Sequence, residues 1–227
     1  ANIVPPEGGK KDTTAPILVS LTPQDSLLNT RASKIVLHFN KFVEVRDLEK
    51  NMTLSPLLAQ KPTVISYGKR VEIKIVDSLL KPNTTYIIAL GNAIVDNREA
   101  TPFGNFTYTF STGSWFDSLQ VSGQVFDAET GMPDSSATIV LYEATEKDSA
   151  ILRKKPSYVG KTNASGYFKI NSLPQKVFRI YALTDESHDY IYQPDKDKIG
   201  FIENEITPMQ AEDSTRLTFN TFKAQIV

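Results

Sequence analysis

The chain has 227 residues, of which 40% are hydrophobic and 22% charged, with no cysteine and two histidines. That composition suits folded domains rather than a disordered chain, and the length predicts two domains with separate cores. Lys plus Arg number 25 against 26 Asp plus Glu, and neither sign is massed in one run, which excludes the electrostatic footprint of a nucleic-acid binder. The lack of cysteine excludes disulfides, thiolate metal sites and cysteine nucleophiles. No apolar run approaches the roughly 20 residues that cross a bilayer as a helix.

Residues 1–13, ANIVPPEGGKKDT, combine a Pro pair, a Gly pair and a Lys pair with little apolar content. They predict a flexible tether, reaching at most about 45 Å when extended. From Thr14 onward apolar residues recur at every second position: Ile35, Leu37 and Phe39, then Val71, Ile73 and Ile75, then Tyr86, Ile88 and Leu90, then Phe106, Tyr108 and Phe110. That spacing is the period of a strand with one buried face, and Glu72, Lys74, Thr107 and Thr109 between them predict the solvated face. Ser66-Tyr67-Gly68-Lys69 and Lys81-Pro82-Asn83 supply the residues that tight reversals need. Val45 to Asn51 is the one helical piece, a turn or two long.

The first module runs over 14–113 and closes in the small residues Ser111-Thr112-Gly113-Ser114, with 114–118 as linker. A second alternating series follows over 119–227: Val121, Gly123 and Val125, then Ile139 and Leu141, then Phe168 and Ile170, then Phe178, Ile180 and Ala182. Glu129-Thr130-Gly131-Met132-Pro133 and Asn163-Ala164-Ser165-Gly166 are its reversals, and Leu217 to Phe222 is its last strand, a C-terminal extension. The fold class expected is all-β, two β-sandwich domains in tandem.

Residues 14–113 resemble a bacterial Ig-like domain of the S-layer type, through Ala15-Pro16, the strand Ile35 to Asn40, Leu80 to Tyr86, Ile94-Val95-Asp96 and Phe110-Ser111-Thr112-Gly113. Asn97-Arg98-Glu99 stands where that family usually places Gly-Asn. Residues 119–206 resemble the carboxypeptidase regulatory-like, or transthyretin-like, sandwich, through Val121 to Val125, Thr130 to Pro133 and Asn163 to Phe168. The stretch Ala1-Asn2-Ile3 with Gly8 to Thr13 is similar to the mature start of Bacteroides-type Ig-like lipoproteins. That resemblance implies an extracytoplasmic protein, in particular an outer-membrane lipoprotein, touching the membrane only through a lipid anchor on a residue upstream of Ala1. It also implies O-glycosylation at Asp followed by Ser or Thr and a small or aliphatic residue, which makes Thr13, Ser26, Ser78, Ser118, Ser149 and Ser214 candidate acceptors.

Catalytic chemistry has little to work with. His38 lies in a strand pattern and His188 in a charged loop, neither with nucleophile-elbow spacing, so no catalytic residue and no enzyme is expected. A Lys to Asn crosslink of the kind found in related surface modules is not expected either, since Leu119 to Asp127 carries no Lys. The loop 185–197 places Asp185, Asp189, Asp195 and Asp197 where oxygen ligands can converge on a cation, yet Gln193 replaces a further acid and no Gly follows Asp189. At most weak calcium binding is expected, and a solvated acidic hairpin is the simpler reading; no other cofactor is indicated. Trp115, Tyr190 and Tyr192 are candidates for stacking on a sugar ring or a protein partner, against the commoner role of covering a core edge. Together these features point to a non-enzymatic binding or scaffold protein with a protein or glycan partner at the cell envelope, or alternatively an accessory glycan-binding module of a surface polysaccharide-capture system.

Overall fold

The computed structural model describes residues 12–213 and 216–224. Residues 12 to 111 build one sandwich. Its strands are β1 (Leu18–Thr22), β2 (Lys34–Phe39), β3 (Val43–Val45), β4 (Thr53–Ser55), β5 (Thr63–Tyr67), β6 (Arg70–Lys74), β7 (Thr85–Gly91), β8 (Ile94–Asp96) and β9 (Phe106–Ser111). A four-stranded sheet, β1-β2-β6-β5, faces a three-stranded one, β4-β7-β9, and β3 pairs with β8 at the side. The alternating residues meet between the sheets: Ile35, Leu37, Val71, Ile73, Tyr86, Ile88, Leu90, Tyr108 and Phe110 are all fully buried. Tyr86 stacks on Phe110 at 5.2 Å between ring centres, a cross-strand pair on neighbouring strands of one sheet. The expected helix is one turn, α1 (Leu48–Asn51).

Three features depart from the sequence-based expectation. Glu72, placed on the solvated face, is buried at 5% exposure. Lys34 and Arg70 approach its Oε1 at 3.3 Å each and Lys74 its Oε2 at 3.6 Å, so three long cationic side chains cover it. The last residues of the tether are held: Lys41 Nζ lies 2.8 Å from Asp12 Oδ2 and donates to Thr14 O at 2.7 Å. The rest of the tether, 1–11, lies outside the described residues. In the Asp96 loop, where Gly-Asn is absent, Asp96 Oδ1 accepts from the amides of Arg98 and Glu99 at 2.9 Å each, and Ala100 takes a left-handed φ of 56°. The aspartate side chain performs locally what the family's glycine does by backbone freedom.

The second sandwich contains β10 (Leu119–Asp127), β11 (Thr138–Glu143), β12 (Tyr158–Lys161), β13 (Tyr167–Leu173), β14 (Phe178–Leu183), β15 (Lys198–Phe201) and β16 (Arg216–Lys223). They form one continuous sheet, β12-β11-β14-β15-β16-β10-β13. β16 serves both parts of the sheet, pairing with β10 through 216–221 and with β15 through Phe222 and Lys223, and the strands enclose Val125, Ile139, Leu141, Phe178 and Phe219. The first and last strands pair in parallel, from Ser122 opposite Arg216 to Asp127 opposite Thr221. Their close approach requires glycine at 123, since a Cβ there would stand 2.3 Å from Leu217 O and 2.7 Å from the Phe168 ring. β11 is buried on both faces: Ile139 and Leu141 point into the sandwich, while Val140 and Tyr142 join a second cluster with Ile151, Leu183 and Tyr192. The continuous run Ile139 to Tyr142 is the pattern of a strand covered on both sides.

Candidate functional site

The link between the sandwiches is short and tied down. Gly113 packs so closely on the turn before β7 that a Cβ would stand 2.9 Å from Asn83 Cα, and Asn83 itself takes the left-handed φ of 49° that the turn after Pro82 demands. Thr112 Oγ1 accepts from the Thr84 amide at 3.0 Å and donates to Lys81 O at 2.7 Å. The Asp117 amide then donates to Thr85 Oγ1 at 2.7 Å, and the Thr85 amide donates to Asp117 Oδ2 at 3.2 Å. A main-chain bond also crosses, from Leu57 N–H to Ser157 O at 2.8 Å. The composition of 114–118 predicts few crossing contacts, and among the described residues no strand of one sandwich packs extensively on a strand of the other; the Thr85 bonds hold the linker, and the Leu57 bond crosses.

This clasp leaves a cleft at the joint. A cavity of about 490 Å³ is lined by Trp115, Phe116, Leu173, Gln175 and Gln210 among others, and one of about 370 Å³ by Pro56, Lys81, Glu143 and Tyr158 among others. Asn83, Asp117, Pro174 and Lys176 line both, so the two adjoin at the joint. Its charges are matched: Lys176 Nζ lies 3.1 Å and Lys81 Nζ 4.0 Å from Glu143 Oε1. Tyr158 is buried at its base, and burial first, then the carboxylates of Asp117 and Glu143, push its phenol well above the usual tyrosine value. Trp115 is 51% exposed at the mouth, with Nε1 3.4 Å from Asp117 Oδ1.

Among the other candidate residues, Tyr190 and Tyr192 are a correction. Tyr192 is 8% exposed and sits with Val140, Tyr142, Ile151 and Leu183, while Tyr190 packs half-buried against the same cluster. Tyr192 offers no open ring face and Tyr190 is only partly exposed, because their loop lies over the outer side of β11 and β14. The acidic loop is a correction of a second kind. It is not a solvated hairpin: Asp185 and Asp197 are buried at 5% and 1% exposure. Asp185 accepts from the amides of Tyr190 at 2.8 Å and Asp189 at 3.3 Å, and Asp197 from those of Gln193 at 2.7 Å and Glu186 at 3.3 Å. Asp189 accepts from the Ile191 amide at 2.8 Å, and Asp195 is exposed. The carboxylates cap a coiled loop, and the Gln193 side-chain amide donates to Ser187 Oγ and Asp189 Oδ2, a donor in the middle of the cluster. Among the described residues no three acidic or histidine side chains are grouped to hold a metal ion.

Of the candidate acceptors, Thr13, Ser26, Ser78, Ser118 and Ser149 are exposed, and Ser214 lies outside the described residues. Their aspartates have structural work: Asp25 Oδ1 accepts from the Thr109 amide at 2.6 Å, and Asp77 and Asp148 each open a 3-10 turn. No helix of the described residues is long and apolar enough to cross a membrane.

Residues 12–112 match the family model of the bacterial Ig-like domain. The Ig-like module is therefore the first sandwich. No curated protein matches the chain. Among solved structures, it is similar to BcpA, the major pilin subunit of Bacillus cereus, at 12% identity and a TM-score of 0.30, over 92% of this chain and 71% of that one. It is also similar to the group B streptococcus pilus 2b backbone protein, at 13% identity and a TM-score of 0.28, over 92% and 97% of the two chains. The T6 backbone pilin of Streptococcus pyogenes follows at 10% identity and 0.28, over 78% and 46%. Scores this low carry no weight for fold or function.

Proposed function

We propose that this chain is a non-enzymatic, extracytoplasmic scaffold protein in which the Ig-like module and a carboxypeptidase regulatory-like sandwich form one stiff spacer. The observation that supports this is the tied joint, where the Asp117 and Thr85 exchange pins the short linker to the first module and the Leu57 to Ser157 bond crosses to the second. Interfaces within a chain are ordinarily looser. Small-angle scattering tests it: a single rigid arrangement is expected, and a curve that requires a broad spread of orientations overturns the spacer reading. Turnover above background on generic esterase, peptidase or glycosidase substrates overturns the non-enzymatic part.

Attachment at the cell envelope follows from the same reading, by a lipid on a residue upstream of Ala1 and with glycans on the exposed Asp-Ser and Asp-Thr sites. Intact mass of protein exported by its native host reads both; a bare-chain mass ends both. A second reading, an accessory glycan-binding module, is favoured by the exposed indole of Trp115 over the joint cleft. Its test is a glycan array, on which silence across all glycans is the adverse outcome.

A further inference from the structure

We infer that the joint cleft is the ligand site of this chain and that it takes an uncharged oligosaccharide, stacked on Trp115; the inference rests on the glycan-binding reading. Stacking platforms for sugars need a wide aromatic face held in one orientation and open to solvent, because the apolar C–H face of a pyranose covers the ring while its hydroxyls stay wet. Trp115 meets each condition. Its ring is half exposed, its indole N–H points to Asp117 Oδ1 at 3.4 Å, and Asp117 is itself fixed by its exchange with Thr85. Ordering costs are thus met before the ligand arrives.

The charge pattern selects the ligand class. The two ammonium groups over the groove, Lys81 and Lys176, face the Glu143 carboxylate, and the Asp117 carboxylate supplies the second negative charge of the lining. An anionic glycan finds no cation surplus, and a cationic ligand must compete with lysines already in place. Apart from Asp117, the remaining polar lining includes uncharged groups: Asn83, Gln175, Gln210 and Ser118 present amides and a hydroxyl, which donate and accept toward sugar hydroxyls. The adjoining volumes of about 490 and 370 Å³ fall in the range of small-molecule sites and suit a short oligosaccharide rather than a single ring. The walls come from both modules, so the site exists only while the joint is closed.

Trp115 is the only tryptophan of the chain, and its emission reports this site without labelling. The full chain, made in an unrelated cytosol, is titrated with maltotriose, cellotriose, mannotriose and xylotriose, and with hyaluronan and heparin hexasaccharides as charged comparators. A saturable emission change with at least one uncharged trisaccharide is expected, at a Kd on the order of 0.1–1 mM for so open a groove. By calorimetry Trp115→Ala is expected to weaken that ligand about tenfold. Gln175→Ala, an exposed position that leaves the fluorophore intact, is expected to weaken it several-fold. A sugar bound with equal affinity by wild type and Trp115→Ala overturns the joint site while leaving glycan binding intact. Binding confined to the charged hexasaccharides overturns the ligand class. Silence toward every sugar removes this inference and the glycan-binding reading together, and leaves the scaffold reading to the scattering experiment.

Discussion

Asp117 and Thr85 satisfy each other: the amide of each donates to the side-chain oxygen of the other, at 2.7 Å and 3.2 Å. Thr85 is 2% exposed, so losing either bond strands a donor away from water. Thr85→Val and Asp117→Ala are each expected to cost about 1 kcal/mol, and the double variant less than their sum by about 0.5–1 kcal/mol. Thermal unfolding checks the costs. The same variants are expected to loosen the module orientation by scattering; full additivity with unchanged scattering would show that the exchange does not brace the joint.

Each sandwich closes its own apolar cluster, residues 32–110 in one and 121–219 in the other. We expect fragments 12–114 and 117–227 to fold separately, each with a cooperative β-type transition. The second fragment is expected to melt below its transition in the full chain, since it loses the Leu57 bond. The domain boundary is misplaced if neither fragment folds.

Asp185 holds its loop through two amides. Asp185→Ala removes the acceptor of the Tyr190 and Asp189 amides and is expected to destabilise the loop by about 1–3 kcal/mol. Hydrogen exchange at Tyr190 reads this directly. Calcium is expected neither to bind the wild type in the micromolar range nor to stabilise it thermally; calorimetry showing micromolar binding that is lost in Asp185→Ala with Asp189→Ala would restore a metal role.

Gly123→Ala drives a methyl group against Leu217 O at 2.3 Å, a main-chain atom that cannot swing aside. About 3 kcal/mol of destabilisation is expected, seen as a fall of roughly 10–20 °C in the melting of the second sandwich. Gly131→Ala meets no neighbour within 4 Å, and its smaller cost comes from its φ of 68° alone.

Lys198 Nζ lies 2.5 Å from Asp127 Oδ2. Its hydrogen bond, with those from the Thr130 and Glu129 amides, holds the Asp127 carboxyl at about 2, below the ordinary 3.8. A depressed folded value means stabilisation that is complete above the unfolded value and lost as the acid protonates. Stability is expected to fall from about pH 4 toward pH 2, and more shallowly in Asp127→Asn. Lys198 is shifted upward, chiefly by Asp127, so its contribution is expected to persist below 10.5 and to fade only above it. Chemical denaturation at intervals across the acid range measures the slope.

The long half-buried strands were legible because period-two burial writes itself into composition: β2, β7, β9, β10 and β14 each show it. Three-residue strands such as β3, β4 and β8 are too short for any period to emerge, and they owe their form to partners distant in sequence. Glu72 and Asp185 read as solvated because charge argues for water; only the assembled sheet supplies Lys34 across a strand, and only the coiled loop supplies the amides. Tyr192 likewise depends on which face of β11 the loop comes to cover. Within the proposed site, Trp115 was visible, with Phe116, as an aromatic pair at the linker. Its cleft was not, because Lys81, Glu143 and Lys176 lie in three separate stretches that meet only when the modules dock.

The place of β16 has a consequence for synthesis. It lies between β15 and β10, so until Lys223 has emerged the second sheet exists as two pieces, each with an open edge able to recruit a neighbouring chain. The Ig-like module is complete more than a hundred residues earlier, and vectorial emergence lets it fold first. The vulnerable interval in the life of this protein is the one before its final strand arrives, and a chain clipped ahead of Arg216 is expected to partition into aggregates rather than persist as a shortened form.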